Sequence, residues 1–275
     1  FESYNDLLPN DSAWATRLKY KNKKKELVSY TNCTAYNNGW IWNIPLWSRL
    51  GTGYVFSSKF VDDETALKEF KKYLGPRSNE AEFRKINMRV GIHRRLWVKN
   101  VCAIGLAAGF IEPLESNGLY SVHEFLYHLC RALKKETLTQ FDKDCFTAAS
   151  KNRFKNFANF VALHYALSKR HDTPYWRANA SKEWSSKLVD LIPAIPGGLE
   201  KIAYDKYFDF AWEEISGLHY ICAGMNFAPT DIVSIQYENL QSETDMLLMG
   251  YKAIGDRLSM KKDALFWGFY ITVFL

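Results

Sequence analysis

The sequence predicts an α+β protein, with an antiparallel or mixed sheet first and a mostly helical half after it. Three observations carry this. Between residues 14 and 57 apolar and polar side chains alternate, as they do in strands with one covered face. Within that stretch Asn38-Gly39 marks a hairpin, because Asn and Gly tolerate positive φ. After Glu115 the apolar spacing changes to steps of three and four, through Leu119, Val122, Leu126, Leu129 and Leu133, which is one helical stripe. The boundary expected from this switch separates a sheet module, 1–118, from a helical module, 119–275.

The elements follow in order. "AWATRLKY" and "ELVSYTNCTAY" are strands flanking "KNKKKE". That cluster of Lys21, Lys23, Lys24 and Lys25 is expected as a solvated hairpin turn, since the other basic residues of this +6 chain are scattered rather than gathered into a nucleic-acid patch. "GWIWNIPL" puts Trp40, Trp42 and Ile44 on one strand face, and "TGYVFSS" completes an antiparallel meander. Asp62 or Asp63 caps the helix "DDETALKEFKKYL", whose Ala66, Leu67, Phe70 and Leu74 share a face. "KINMRVGI" and "RRLWVKNVCAIG" return to period two. The next helix starts at Ser116, or at Ser121, which forms an S-x-x-E capping box with Glu124. Phe154, Phe157, Val161 and Tyr165 make a second stripe, and in "DTPYW" Asp172 or Thr173 caps a helix with Pro174 in its first turn. The closing run "ALFWGFYITVFL" is too short to cross a bilayer and reads as a core element, so no stable membrane association is expected.

The composition narrows the function classes. The chain has 275 residues, 47% hydrophobic and 24% charged, which suits a folded protein with a sizeable core. Cys33, Cys102, Cys130, Cys145 and Cys222 are odd in number and lack zinc spacing, so reduced thiols, no metal site and a cytoplasmic location are expected. No signal peptide opens the chain, and it starts at Phe1 rather than Met, as a fragment or processed product would. "HEFLYH" is not a zinc motif, because His123 and His128 lie about 140° apart around a helix. "GTGYVF" lacks the third glycine of a dinucleotide fingerprint. "LESNG" is no nucleophile elbow, which makes Ser116 a poor nucleophile.

"FIEPLESNGLY" is the segment with chemistry in it. An apolar strand end has no need of Glu112 and Glu115. Glu115-Ser116-Asn117-Gly118 falls at a strand-to-helix junction, where free backbone N–H groups and a partial positive charge can hold an anion or the polar edge of a cofactor. Gly118 allows close approach to the backbone. A capped helix with solvated acids fits the same residue types.

"GWIWNIP", "GTGYVFSSKF", "RVG", "IGLAAGFIEPLESNGLY" and "HYALSKRHDTPYW", in this order, resemble the flavin-dependent tryptophan halogenases from about Trp14 to Trp176, and more weakly through "FDFAWEEISGLHYICAGMNF". The resemblance implies a flavin monooxygenase-like fold. It implies reduced FAD, supplied by a separate flavin reductase, that with oxygen converts a bound halide ion to hypohalous acid. That species then reaches a lysine beside an aromatic small-molecule substrate. Carried over, Glu115 polarises the halogenating species or accepts the ring proton, with Ser116 beside it in the catalytic "PLES" segment. Asn117, where the family usually has Thr, and Gly118 hold the halide through backbone amides. Ile104, Gly105, Leu106, Ala107 and Ala108 run along the flavin. Trp40 and Trp42 stand between flavin and substrate sites, and Phe110 belongs to the substrate side.

The family's G-x-G-x-x-G segment and catalytic lysine precede "GWxWxIP", and nothing in this chain matches them. The expectation is the C-terminal part of a halogenase, lacking the N-terminal dinucleotide-binding part and inactive alone. The alternatives are a related FAD-dependent monooxygenase and a non-catalytic binding module, with a homodimer left open. "YFDFAWEE" resembles the segment that closes over tryptophan, with Trp212 as the aromatic wall. Tyr207 stands where tryptophan users place a carboxylate and Ala211 where they place a ring, which implies an aromatic substrate other than free tryptophan.

Overall fold

The computed structural model describes residues 1–180, Met225 and the strand 270–274. The elements are β1 (Glu2–Ser3), β2 (Ser12–Leu18), α1 (Lys23–Glu26), β3 (Tyr30–Tyr36), β4 (Gly39–Leu46), β5 (Arg49–Phe56), α2 (Asp63–Leu74), β6 (Arg84–Asn87), β7 (Gly91–Ile92), β8 (Trp97–Val98), β9 (Val101–Cys102), β10 (Gly109–Phe110), α3 (Asn117–Leu133), α4 (Gln140–Ala166), α5 (Pro174–Ala180) and β11 (Tyr270–Phe274). Six strands form one sheet in the order β11-β3-β4-β5-β2-β6, antiparallel except for the parallel β11–β3 pair. Among the described residues, no helix is long and apolar enough to cross a membrane.

The lysine cluster does not form a hairpin. β2 pairs with β5, from Ser12 opposite Phe56 to Leu18 opposite Leu50, and with β6 on its other edge. An edge position beside β3 would leave Ala13 and Leu18 half-covered, whereas between β5 and β6 both are buried. The lysines therefore sit in a connection that crosses to β3. Asn22 caps the short α1 there by accepting from the Lys25 N–H at 3.3 Å. The next turn also lies one residue earlier than expected. Tyr36 opposes Gly39, so Asn37 and Asn38 make the bend, and neither has positive φ. Gly39 serves a close approach instead, since a Cβ there would meet Val55 O at 1.9 Å.

The two sheet faces have different partners. Ile41, Tyr54 and Phe56 pack on Ala66 and Phe70 of α2, whose Asp62 cap accepts from the Thr65 N–H at 2.9 Å. Ala13, Cys33, Trp40 and Val55 face α3, α4 and α5 in one apolar cluster that continues across residue 118. On α4 the stripe of Phe154, Phe157, Val161 and Tyr165 is buried as expected, and Thr139 with Asp142 forms its capping box.

Helix α3 corrects two expectations. Its leucine stripe is only partly covered among the described residues: Leu129 packs against the core and Val122 is half-buried, but Leu119 is 79% exposed and Leu126 and Leu133 are exposed as well. Ser121, Phe125 and Ala132 are buried instead, because the Phe125 ring meets Phe146 and Phe154 of α4 and so selects the neighbouring face. Ser121 caps nothing. It lies within the helix, and its hydroxyl donates to Gly118 O at 2.8 Å.

Candidate active site

The segment from β10 to α3 crosses the helix-facing side of the sheet and places its two carboxylates differently. Glu112 is fully buried. Its Oε1 accepts from Trp40 Nε1 at 3.2 Å and from the Tyr165 hydroxyl, and its Oε2 accepts from Asn10 Nδ2 at 3.0 Å. Asn10 Nδ2 also donates to the Tyr165 oxygen at 2.9 Å, and Asn10 Oδ1 accepts from the Tyr175 hydroxyl at 3.0 Å. Burial pushes the Glu112 carboxyl up to about 7, while the hydrogen bonds from Tyr165, Trp40 and Asn10 pull it back down. Tyr165 and Tyr175 are held well above the usual phenol range, first by burial and then by the charge of Glu112.

Glu115 sits in a different setting. It and Ser116 adopt left-handed backbone, with φ of 68° and 51°. Such conformations cost roughly 1–2 kcal/mol per residue for L-amino acids and cluster at functional turns. The turn is closed by Asn117, a buried residue whose Nδ2 donates to Leu114 O at 3.1 Å. Glu115 Oε1 lies 2.8 Å from Nε2 of His164 on α4. Behind it, burial pushes the Cys33 thiol up to about 12, with the charge of Glu115 adding to the effect. Cys33 pairs across β3–β4 with Trp42, so this carboxylate stands over the tryptophan-bearing face of the sheet.

The remaining candidates take several positions. Trp40 is buried and Trp42 half-buried, with ring centroids 6.1 Å apart. The Trp42 ring lies against Gly53, where a Cβ would come within 2.1 Å of Cζ2. Ser116 is exposed and makes no capping hydrogen bond. Asn117 and Gly118 open α3, and nothing lies within 4 Å of a Cβ added at Gly118. Phe110 is half-buried on β10, opposite Gly91. Tyr207, Ala211 and Trp212 lie outside the described residues.

Two features bear on a flavin and a halide. Residues 105–107 form a 3-10 turn, with Ile104 before it and Ala108 after it. Gly105 has φ 55°, and Val122 fills the space beside it, so the turn is pressed onto α3 and presents Leu106 and Ala107 outward. An apolar, outward turn of this kind suits the flat part of a flavin, but the chain has no G-x-G-x-x-G cradle for its phosphates. The first backbone N–H groups of α3 and the open space at Gly118 suit a small anion.

Sequence reasoning assigned no role to His164, Asn10 or Tyr175, and it read Tyr165 only as part of an apolar stripe. "HYALSKRHDTPYW" holds three of these four residues at positions 164, 165 and 175, which was the available signal. Asn10, in "LPNDS", offers none.

The chain belongs to the tryptophan halogenase family, whose profile matches residues 1–237. It is 31% identical to tryptophan 6-halogenase ThaL of Streptomyces albogriseolus, over 94% of this chain and 51% of that protein. It is 30% identical to tryptophan 7-halogenase RebH of Lentzea aerocolonigenes, over 94% of this chain and 50% of that protein. Among solved structures, it is similar to the tryptophan halogenase of Shewanella frigidimarina, with a TM-score of 0.73 and 28% identity, over 92% of this chain and 50% of that one. Tar14, a tryptophan C-6 flavin-dependent halogenase (chlorinase) from taromycin biosynthesis, gives a TM-score of 0.74 and 28% identity over 90% and 51%. The chain spans about half the length of these curated relatives.

Proposed function

We propose that this chain forms the substrate-facing part of a flavin-dependent halogenase acting on an aromatic ring, with Glu115 as the carboxylate that serves that ring. The observation that carries the reading is Glu115 itself. It is raised on a left-handed turn above the tryptophan-bearing sheet face, fastened by one oxygen to His164, and sits directly before the open start of α3. Family membership supports it.

On this reading each part has one task. The N–H groups at Asn117 and Gly118 hold the halide. Reduced FAD, delivered by a separate reductase, supplies with oxygen the oxidising equivalents that make halide electrophilic. Residues 104–108 would lie along the flavin. Trp40 and Trp42 wall the substrate off from it, with Phe110 on the substrate side. Glu115 polarises the halogenating species and takes the ring proton at its carboxylate oxygen, where charge develops in the transition state. Ser116 exposes its hydroxyl beside that carboxylate. The phosphate cradle and the family's lysine have no match among these residues, so the chain works together with a segment that carries them, in the cytoplasm. Residues 1–118 give the wall and the flavin edge, and residues 119–275 cover the substrate. Tyr207 in place of a carboxylate and Ala211 in place of a ring favour an aromatic substrate without an amino-acid tail.

The test uses the product of the complete reading frame, with reduced FAD, oxygen, an indole, and either bromide or chloride. The expected product gains one halogen and disappears when halide is withheld. A hydroxylated product formed at equal rate without halide would replace this reading with direct oxygen transfer.

A further inference from the structure

His164 lies on α4 with 1% of its side chain exposed, against 19% for Glu115. Its Nδ1 is 3.0 Å from Phe160 O, and its Nε2 is 2.8 Å from Glu115 Oε1. Both ring nitrogens therefore face oxygen atoms. A carbonyl oxygen has no proton to give, so Nδ1 is the donor on that side. A neutral imidazole carries one N–H only, and two lone pairs facing each other at 2.8 Å repel. A second proton must stand between Nε2 and Oε1. With that proton on Nε2, the contact is a charge-assisted hydrogen bond donated by the ring to the carboxylate.

The surroundings agree with a single charged pair. Glu112 approaches His164 from the same turn as Glu115, but its own oxygens are taken up by Trp40, Tyr165 and Asn10. Cys33 approaches from β3 as a neutral thiol, and Tyr165, next on α4, turns to Glu112. The Phe160 ring stands edge-on to the imidazole at 5.3 Å. Among the described residues, Oε2 of Glu115 has no hydrogen-bond donor, so the pair opens outward on the carboxylate side only.

We propose that His164 is the positioning residue of Glu115: a doubly protonated ring, anchored to Phe160 O, clamps Oε1 and leaves Oε2 as the oxygen offered to the substrate. The proposal rests on the reading of Glu115 as the substrate-serving carboxylate. It touches no substrate atom itself and adds no chemical step. The ring proton goes to Oε2, while the proton on Nε2 stays where it is.

The direct test is nitrogen NMR of the protein with 15N-labelled histidine, the His164 signals being assigned by their loss in His164→Gln. Both ring nitrogens of His164 are expected to be protonated at neutral pH, and one of them is expected to lose its proton in Glu115→Gln. A neutral ring in the wild type, with either single tautomer, overturns the proposal whether or not the protein halogenates anything. The kinetic test compares variants in the complete reading frame. His164→Phe should lower kcat about 100-fold, as displacement of a reacting group does, with KM within about threefold. His164→Gln, which keeps an N–H near Oε1, should recover part of that loss. A folded Phe variant with wild-type kcat overturns the clamp, and should that variant not fold, the NMR result decides.

Discussion

Trp40 donates its indole N–H to Glu112 Oε1 at 3.2 Å, joining residues 72 positions apart. The bond explains why an apolar strand end carries two acids. Glu112 is buried with both oxygens hydrogen-bonded, and it ties Trp40 to α4 through Tyr165 and to the chain start through Asn10. Glu115, three residues on, has Oε1 beside His164 Nε2 at 2.8 Å and, among the described residues, no donor to its other oxygen. One acid belongs to the scaffold, and the other is the one proposed to serve the substrate.

The scaffold role has a pH signature. The Glu112 carboxyl is raised from 4.5 to about 7 by burial. A carboxyl raised on folding stabilises the protein below its unfolded value, and that contribution is lost as pH climbs through the folded value. Wild type should therefore lose roughly 3 kcal/mol relative to Glu112→Gln between about pH 4 and about pH 8. Urea unfolding of both proteins at stepped pH measures this, and a gap that does not change with pH would contradict it.

Trp40→Phe keeps a ring in place but removes the donor. Hydrogen bonds to charged groups are worth about 1.5–3 kcal/mol, so this loss is expected at about pH 8, where Glu112 is ionised. In the Glu112→Gln background the same change should cost less by about 1 kcal/mol or more. Equal costs in the two backgrounds would show that the contact carries no coupling.

Two glycines should respond oppositely to Ala. At Gly53 a Cβ would lie 2.1 Å from Trp42 Cζ2 and 2.7 Å from Trp14 O. Gly53→Ala should cost about 1–3 kcal/mol by overpacking and displace the Trp42 ring. At Gly118 a Cβ meets nothing within 4 Å, so the fold should keep its stability or gain up to about 1 kcal/mol. If that open space is where halide approaches, the halide KM of Gly118→Ala rises without any fall in melting temperature. An unchanged halide KM would remove Gly118 from the halide site.

Local patterns made part of this legible. Period two and the Asn-Gly pair located β3 and β4, with their turn one residue off, and the steps of three and four located α4 with its buried Phe154, Phe157, Val161 and Tyr165. The position of β2 was not legible, because pairing across 32 or more residues leaves no local trace: Ser12 meets Phe56 and not the neighbouring β3. Helix α3 carries two adjacent apolar stripes, and only contact of Phe125 with α4 decides between them. At the site, the junction around Glu115 could be read from "FIEPLESNGLY" and its likeness to a family. The motif "HYALSKRHDTPYW" marks His164 and Tyr165 but not what they touch, and Asn10 has no local sign, since tertiary contact alone turns these three toward the two acids.

The substrate reading is tested by competition. With equal reduced FAD and halide, free L-tryptophan is set against simple indoles and phenols using the product of the complete reading frame. Tyr207 offers no charge for an ammonium group, and a lost contact of about 1.5–3 kcal/mol is about 10- to 150-fold in affinity. Tryptophan should not lead in kcat/KM. A lead of about tenfold or more for tryptophan would refute the reading of Tyr207 and Ala211.

The central claim is that Glu115 serves the ring being halogenated, and Glu115→Gln tests it most directly. The measurement is single-turnover halogenation by the product of the complete reading frame, beside FAD binding by the same protein. FAD affinity should stay within about threefold, because the change leaves backbone and flavin edge alone, while halogenation falls about 100- to 10,000-fold, as when a general base is removed. Halogenation within about threefold of wild type would show Glu115 to be a spectator acid.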